Sequence, residues 1–213
     1  MNTEYVKFPE RADRTVYIAK RFAAYLKGSV LDVGCYEAPL RKLLVDTPYT
    51  GVDMVGDPDI TLNLEDCERL PFEDNSFECV LCIEVLEHLD TLHRMFGELF
   101  RVARRHVIVS LPNCWSDARR PIERGKGHFG HYALPIDAPL DRHKWFFSFT
   151  EARDFLEGQA RQRGVQIADM FGTERPRNGL QCALRRLIFP GDRYLNRYAQ
   201  NIWGVFDLGE GSK

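Results

Sequence analysis

Short apolar runs alternate along this chain with stretches whose apolar residues recur every third or fourth position, the pattern of strands interleaved with helices. Val30, Leu31 and Val33 form the first clear strand, which stops at Gly34. A helix is expected to begin near Pro39, a residue suited to the first helical position. Tyr49 to Asp53 reads as the next strand, Ile60 to Leu62 as a short third, and the run ending at Ile83 as a fourth. Then Leu92, Met95, Phe96, Leu99 and Phe100 mark one face of a helix that Asp90 is expected to cap. His106 to Leu111 is a fifth strand, stopped by Pro112.

The ends of the chain carry weaker patterns. The stretch up to Lys27 reads as a helix with Val16, Ala19, Ala23 and Leu26 on one side. Ser148 and Glu151 fit a capping box that opens a helix ending near Gly164. Val165 to Phe171 and Leu180 to Ile188, separated by the polar run from Gly172 to Gly179, read as a hairpin. Residues 191–207 read as an amphipathic helix bearing Leu195, Tyr198, Ile202, Val205 and Phe206, expected to pack on the body or on a second subunit; the alternative is a membrane-surface role with Arg193, Arg197 and Trp203 at the interface. Between Asn113 and His143 no period is visible, and Gly, Pro, His and Arg are dense. A long connection that leaves the carboxyl end of a strand is expected to be a substrate cover. One domain, 1–213, accounts for all of it.

The first strand and its turn carry the chemistry. A strand, a glycine turn and a helix, followed by a strand that ends in an acid, is how an open α/β sheet holds a nucleoside, with the acid accepting from a ribose diol. The residues after Gly34 are Cys35, Tyr36, Glu37 and Ala38, so the Gly-x-Gly-x-x-Gly of dinucleotide folds is absent and a nicotinamide-dependent reductase is a poor reading. The stretch Leu31-Asp32-Val33-Gly34-Cys35 instead resembles motif I of class I methyltransferases that use S-adenosylmethionine (SAM). Leu70-Pro71-Phe72, Asp74-Asn75-Ser76-Phe77 and Glu84-Val85-Leu86-Glu87-His88 extend the resemblance to the subfamily that acts on small molecules.

That resemblance implies a Rossmann-like, doubly wound, mostly parallel seven-stranded sheet with an antiparallel strand from the C-terminal hairpin and helices on both faces. It implies that Asp32, Gly34, Cys35 and Tyr36 line the methionine part of SAM, that Asp53 takes the ribose hydroxyls, and that Met54 packs on the adenine. Asn63 and Leu64 fall at the adenine edge, and Ile83 and Glu84 border the sulfonium. Two residues depart from the pattern: Tyr36 and Ala38 stand where the family has glycine. Tyrosine resists a positive φ, so the loop is expected to take an allowed conformation or to be reshaped. Arg105 to Asn113 is also similar to MetW-like proteins, which implies a second class of function: a methyltransferase-like partner protein without turnover.

Methyl transfer to a hydroxyl needs alignment and a proton acceptor, and histidine suits the latter. His88 follows the Glu-Val-Leu-Glu series, and His143 lies in a segment that resembles the family's His-x-x-Phe-Phe. Either is the expected general base. His128, His131, Tyr132 and Trp145 are the expected substrate contacts. A metal site drawn from the histidines with Asp137 or Asp141 matches no standard spacing, so none is expected.

The formal net charge of −2 shows no bias toward nucleic acid, although arginines cluster at 101–105, 119–124 and 175–186. An anionic small acceptor such as a sugar or sugar nucleotide fits those clusters. No run is long and apolar enough to span a membrane, no secretory leader is apparent, and the six cysteines are scattered; a reduced, cytoplasmic protein is expected, as a possible homodimer.

Overall fold

The computed structural model describes residues 1–128 and 130–209. The element order is β1 (Asn2–Tyr5), α1 (Arg11–Arg21), β2 (Val30–Val33), β3 (Tyr49–Asp53), β4 (Ile60–Thr61), β5 (Phe77–Ile83), α2 (Leu92–Val102) and β6 (Ala103–Pro112). There follow α3 (Cys114–Arg124), α4 (Phe149–Arg163), β7 (Gln166–Glu174), α5 (Gly179–Ile188), α6 (Asp192–Tyr198) and β8 (Asn201–Asp207). All eight strands join one sheet in the order β1-β7-β8-β6-β5-β2-β3-β4. Only β8 runs against its neighbours, pairing antiparallel with both β6 and β7.

Central strands β2, β5 and β6 are buried on both faces, which is why they read as continuous apolar runs. Leu31, Val33, Val80, Cys82, Val107 and Val109 point toward α2 and α4. Val30, Cys79, Leu81 and Ile108 point toward α1. The stripe Leu92, Met95, Phe96, Leu99 and Phe100 is buried as its spacing requires, although Thr91 rather than Asp90 occupies the cap. Asp90 pairs with Lys144 at 2.8 Å instead. Ser148 forms the expected capping box with Glu151, and Gly164 ends α4 in the left-handed region.

The sheet has an eighth strand that the pattern did not announce. Asn2-Thr3-Glu4-Tyr5 is polar, as an edge strand is free to be, and it pairs parallel with β7. The helix that follows spans only Arg11–Arg21; its buried line is Thr15 and Ile18, continued by Phe22 and Leu26, and Val16 is exposed. After Gly34 the expected helix is a single 3-10 turn, Pro39–Lys42.

The C-terminal third corrects the expectation most. Leu180–Ile188 is helix α5, not a strand, and its Leu180, Leu184 and Leu187 are exposed at helical spacing. The expected helix over 191–207 splits into the short α6 and strand β8. Trp203 is fully buried in β8, away from any interface. A strand flanked on both sides and both faces loses its period-two signal, and Leu195, Tyr198 and Ile202 mimic a helical one across the turn between α6 and β8. The cover is also partly helical, since α3 occupies its first third.

One polar group stands out in the middle of β2. Asp32 is buried, and it accepts a hydrogen bond of 2.7 Å from the Tyr49 hydroxyl. Burial pushes its carboxyl up to about 6, against the lowering effect of that hydrogen bond. The fold therefore favours the protonated form, and its contribution is full below the ordinary pKa and lost as pH rises through about 6. Asp32→Asn should abolish this loss. Denaturant titrations of the two proteins should show the variant gaining on the wild type by on the order of 3 kcal/mol between pH 4 and pH 7, with no further change above.

Candidate active site

The carboxyl ends of β2, β3, β5 and β6 converge on one edge of the sheet, where open α/β folds place ligands. The loop after β2 is set by contacts with its neighbours. Gly34 has φ +82, and a Cβ there would lie 2.2 Å from Val85 Cγ2, so no side chain fits. Tyr36 and Ala38 both take the left-handed region, at φ 52 and 47. The loop thus keeps the conformation that glycines would adopt, where the expectation was a turn that avoids positive φ or a reshaped loop, at a cost of roughly 1–3 kcal/mol for each residue.

The partners that hold this conformation are visible. The Tyr36 N–H donates to Asp53 Oδ2 at 2.8 Å, and its carbonyl accepts from the Asp57 N–H at 2.9 Å. Gly56, at φ +90, lies against it so closely that a Cβ would sit 2.4 Å from the Tyr36 carbonyl oxygen. The Arg11 guanidinium covers the Tyr36 ring, 4.4 Å from its centroid. Asp53 also accepts from the Val55 N–H, so each carboxylate oxygen holds one backbone donor and retains a lone pair.

Beyond Asp53, Met54 is exposed and lines a cleft of about 690 Å³ with Asn63, Leu89 and the apolar residues Leu134, Ile136 and Leu140 of the cover. The Asn63 amide is anchored to Asp66 and to the Glu65 N–H. His88 and Asp141 close this cleft and also line a second one of about 480 Å³. That second cleft is lined by Arg11, Arg14, Glu84, Glu87, Asp117 and Asn201, among others.

At the end of β5 the chain makes a sharp exit. Glu84 has φ 53, its N–H donates to the Ser110 carbonyl at 3.1 Å, and its carboxylate is gripped by Arg14 and, at 2.8 Å, by the Asn201 amide. The 3-10 turn Leu86–His88 then presents Glu87 and His88. Burial and the nearby Glu84 carboxylate push Glu87 well above the usual carboxylate range. His88 Nδ1 lies 2.6 Å from an Asp141 carboxylate oxygen, and His143 Nδ1 lies 3.0 Å from the Tyr132 hydroxyl, which donates in turn to the Trp145 carbonyl at 2.5 Å. His131 stacks on His143 with centroids 4.4 Å apart. Burial and these two imidazole neighbours push His143 down to about 3.

The comparisons with known proteins fit this arrangement. A family whose description is "Methyltransferase domain" matches residues 31–111. Residues 31–111 are thus similar to a methyltransferase domain. Sterol 24-C-methyltransferase erg6 of Schizosaccharomyces pombe is 30% identical over 109 residues, which cover 41% of this chain and 28% of that protein. The chain therefore spans under a third of that relative's length. Among solved structures, a SAM-dependent methyltransferase from Archaeoglobus fulgidus superposes with a TM-score of 0.61 at 16% identity, covering 94% of this chain and 96% of that one. The small RNA methyltransferase HEN1 superposes with a TM-score of 0.61 at 17% identity, covering 100% of this chain and 27% of that one.

The sequence-predicted residues separate into groups. Met54 and Asn63 line the first cleft and Glu84 the second, Gly34 and Ile83 line a small hollow with Asp32 and Cys35 against Arg14, and His88, His131 and His143 meet at one corner. Others are turned away. Asp32 faces Tyr49 beneath the loop, the Cys35 thiol packs on Gly51 and is pushed up to about 12 by burial, and Leu64 lies in the core. Tyr132 holds His143 in place. Trp145 donates to the Leu89 carbonyl and lines a separate apolar hollow with Phe147 and Phe155. His128 is exposed and lines neither cleft.

Sequence reasoning gave no role to Glu87, Arg14 or Asn201, and weighed Asp141 only as a metal ligand. Only Glu87 carried a usable signal, its position three residues after Glu84 and next to His88. Gly56→Ala should disturb the loop directly. We expect a loss of about 2 kcal/mol or more in denaturant unfolding, together with weaker retention of any ligand held by Asp53.

Proposed function

We propose that this chain transfers the methyl group of SAM to a hydroxyl of a small, polar, anionic acceptor. The observation that carries this reading is the junction of the two clefts at His88 and Asp141. The cleft on the Met54 side offers what adenosine requires, an exposed thioether and apolar cover residues, and the Asp53 carboxylate with its free lone pairs precedes Met54 at the end of β3. The second cleft brings imidazoles to the place where the methyl group would point.

Transfer from a sulfonium is an in-line displacement, so alignment supplies most of the rate. Glu84, Arg14 and Asn201 form a fixed polar wall beside the sulfonium, and Tyr36 under Arg11 covers the methionine end. The acceptor hydroxyl gives up its proton to His88. Its Nδ1 is bound to the Asp141 carboxylate, which orients the ring and stabilises the imidazolium that forms. His143, stacked on His131 and tied to Tyr132, completes the wall.

Charge supports the anionic acceptor. Arg119, Arg120, Arg175, Arg177 and Arg197 surround a hollow of about 90 Å³ that shares Asp117 and Gln200 with the second cleft. Arg119 and Arg197 share Glu123, while burial and the neighbouring guanidiniums, Arg175 first, push Arg120 below its ordinary range. A cluster of half-buried and exposed guanidiniums in excess over the carboxylates near it suits an anionic group.

The loop conformation speaks against the partner-protein reading, because Tyr36 keeps the glycine-like shape that a cofactor loop needs. Calorimetry should find binding of SAM and of S-adenosylhomocysteine, and Asp53→Ala should weaken it about tenfold, near 1.4 kcal/mol. Absence of binding to the wild type would sink the enzyme reading. With a phosphorylated acceptor, Arg120→Ala should raise KM about tenfold or more while leaving kcat near its wild-type value, and the dephosphorylated acceptor should not respond.

A further inference from the structure

The corner made by Glu87, His88 and His143 holds three donor atoms that no partner in the described chain uses. His88 and His143 each commit Nδ1, one to the Asp141 carboxylate at 2.6 Å and one to the Tyr132 hydroxyl at 3.0 Å. Each Nε2 is left to face the Glu87 carboxylate. His88 Nε2 lies 3.8 Å and His143 Nε2 lies 4.0 Å from Glu87 Oε1. Glu87 itself is 1% exposed, and its Oε2 makes no hydrogen bond among the described residues.

A buried carboxyl group whose Oε2 makes no hydrogen bond among the described residues, facing two imidazole nitrogens, is costly as an anion unless something positive sits between them. We propose that Glu87, His88 and His143 bind a divalent first-row transition metal ion through Glu87 Oε1 and the two Nε2 atoms. One ligand atom from each of the three residues lies within 4.8 Å of the others. Donors about 2.1 Å from one ion stand at most about 4.2 Å apart. The two Glu87 distances satisfy that limit, and with all three separations at 4.8 Å or less the cluster is within a small closure of it.

The donor set selects the class of ion. Two imidazoles and one carboxylate suit zinc, manganese, cobalt or iron better than magnesium or calcium, which prefer oxygen alone. The outer contacts are those of a metal centre as well. An Nδ1–H bound to a carboxylate and another bound to a hydroxyl fix both rings with Nε2 forward, the support that metal-binding histidines ordinarily have. Three protein donors leave coordination positions open on the side of the 480 Å³ cleft that the same residues line. An acceptor hydroxyl oxygen fits there.

This inference rests on the proposed reading of that cleft as the acceptor site, and it changes how the corner acts. A coordinated hydroxyl is acidified by the ion and releases its proton to solvent. The oxygen keeps the electron pair that attacks the methyl carbon, whose bond to sulfur breaks. His88 is then a ligand rather than a base. The ion also fixes the oxygen at a set distance from the sulfonium.

The experiment uses untagged full-length protein stripped with chelator and titrated with Co²⁺, read by its visible absorption, with SAM binding measured on the same samples. The expected result is one Co²⁺ per chain, with Glu87→Gln and His143→Asn each weakening it about tenfold or more and Asp53→Ala binding it as the wild type does. Glu87→Gln is close in shape to the original, and its unfolding temperature without metal should match or exceed wild type, which separates a lost ligand from a lost fold. No cobalt band in the wild type, or an equal band in both ligand variants, overturns the metal site. If either occurs while SAM still binds, the methyltransferase reading stands with His88 as its base. If cobalt binds as expected and SAM does not, the metal site stands and the proposed activity fails.

Discussion

Everything at the ligand edge of this sheet hangs on the way the chain leaves β5. Glu84 takes a left-handed conformation that a glutamate adopts only under constraint, and three elements supply that constraint: Arg14 of α1, Ser110 of β6 and Asn201 of β8. The turn this creates drives Glu87 inward and sends His88 toward the cleft. It also places Val85 against Gly34, so the glycine loop and the imidazole corner share one fixed boundary. Segments near both ends of the described chain are therefore tied to the same residue, and the antiparallel insertion of β8 is what brings Asn201 there.

The site follows a second constraint, the absence of spare room at Gly34 and Gly56. Neither tolerates a side chain, and between them Tyr36 is locked into a glycine-like backbone whose N–H feeds Asp53. The strain at Tyr36 and Ala38 is thus met by packing rather than avoided. This explains how the loop keeps a glycine-like shape although two glycines of the motif it resembles are replaced.

Much of the parallel half of the fold was legible. β2, β3, β5 and β6 have lengths, apolar content and stop signals that leave few alternatives, and the α2 stripe repeats cleanly. The antiparallel end was not. β8 is buried on all sides, so its residues alternate between two apolar environments and show no period, while α5 leaves its leucines in solvent and breaks the rule that apolar spacing means burial. Polar β1 gave no signal at all. The site divided in the same way: Asp53, His88 and His143 stand in motifs, whereas Arg14, Asn201 and Asp141 reach the cleft only through topology. Trp145 looked like a pocket residue because it follows His143, but the backbone bond from its N–H to the Glu87 carbonyl turns it to the opposite side.

That placement of Trp145 has a practical corollary. The three tryptophans occupy different surroundings: Trp203 sealed in the sheet, Trp115 half open on α3, and Trp145 wedged beside His93 and Phe155 with its indole N–H on the Leu89 carbonyl. Emission from Trp203 follows the integrity of the sheet, whereas Trp145 is coupled to His143 through the backbone of Lys144 alone. The molecule thus carries an intrinsic optical gauge of its ligand corner, distinct from the one that reports its core.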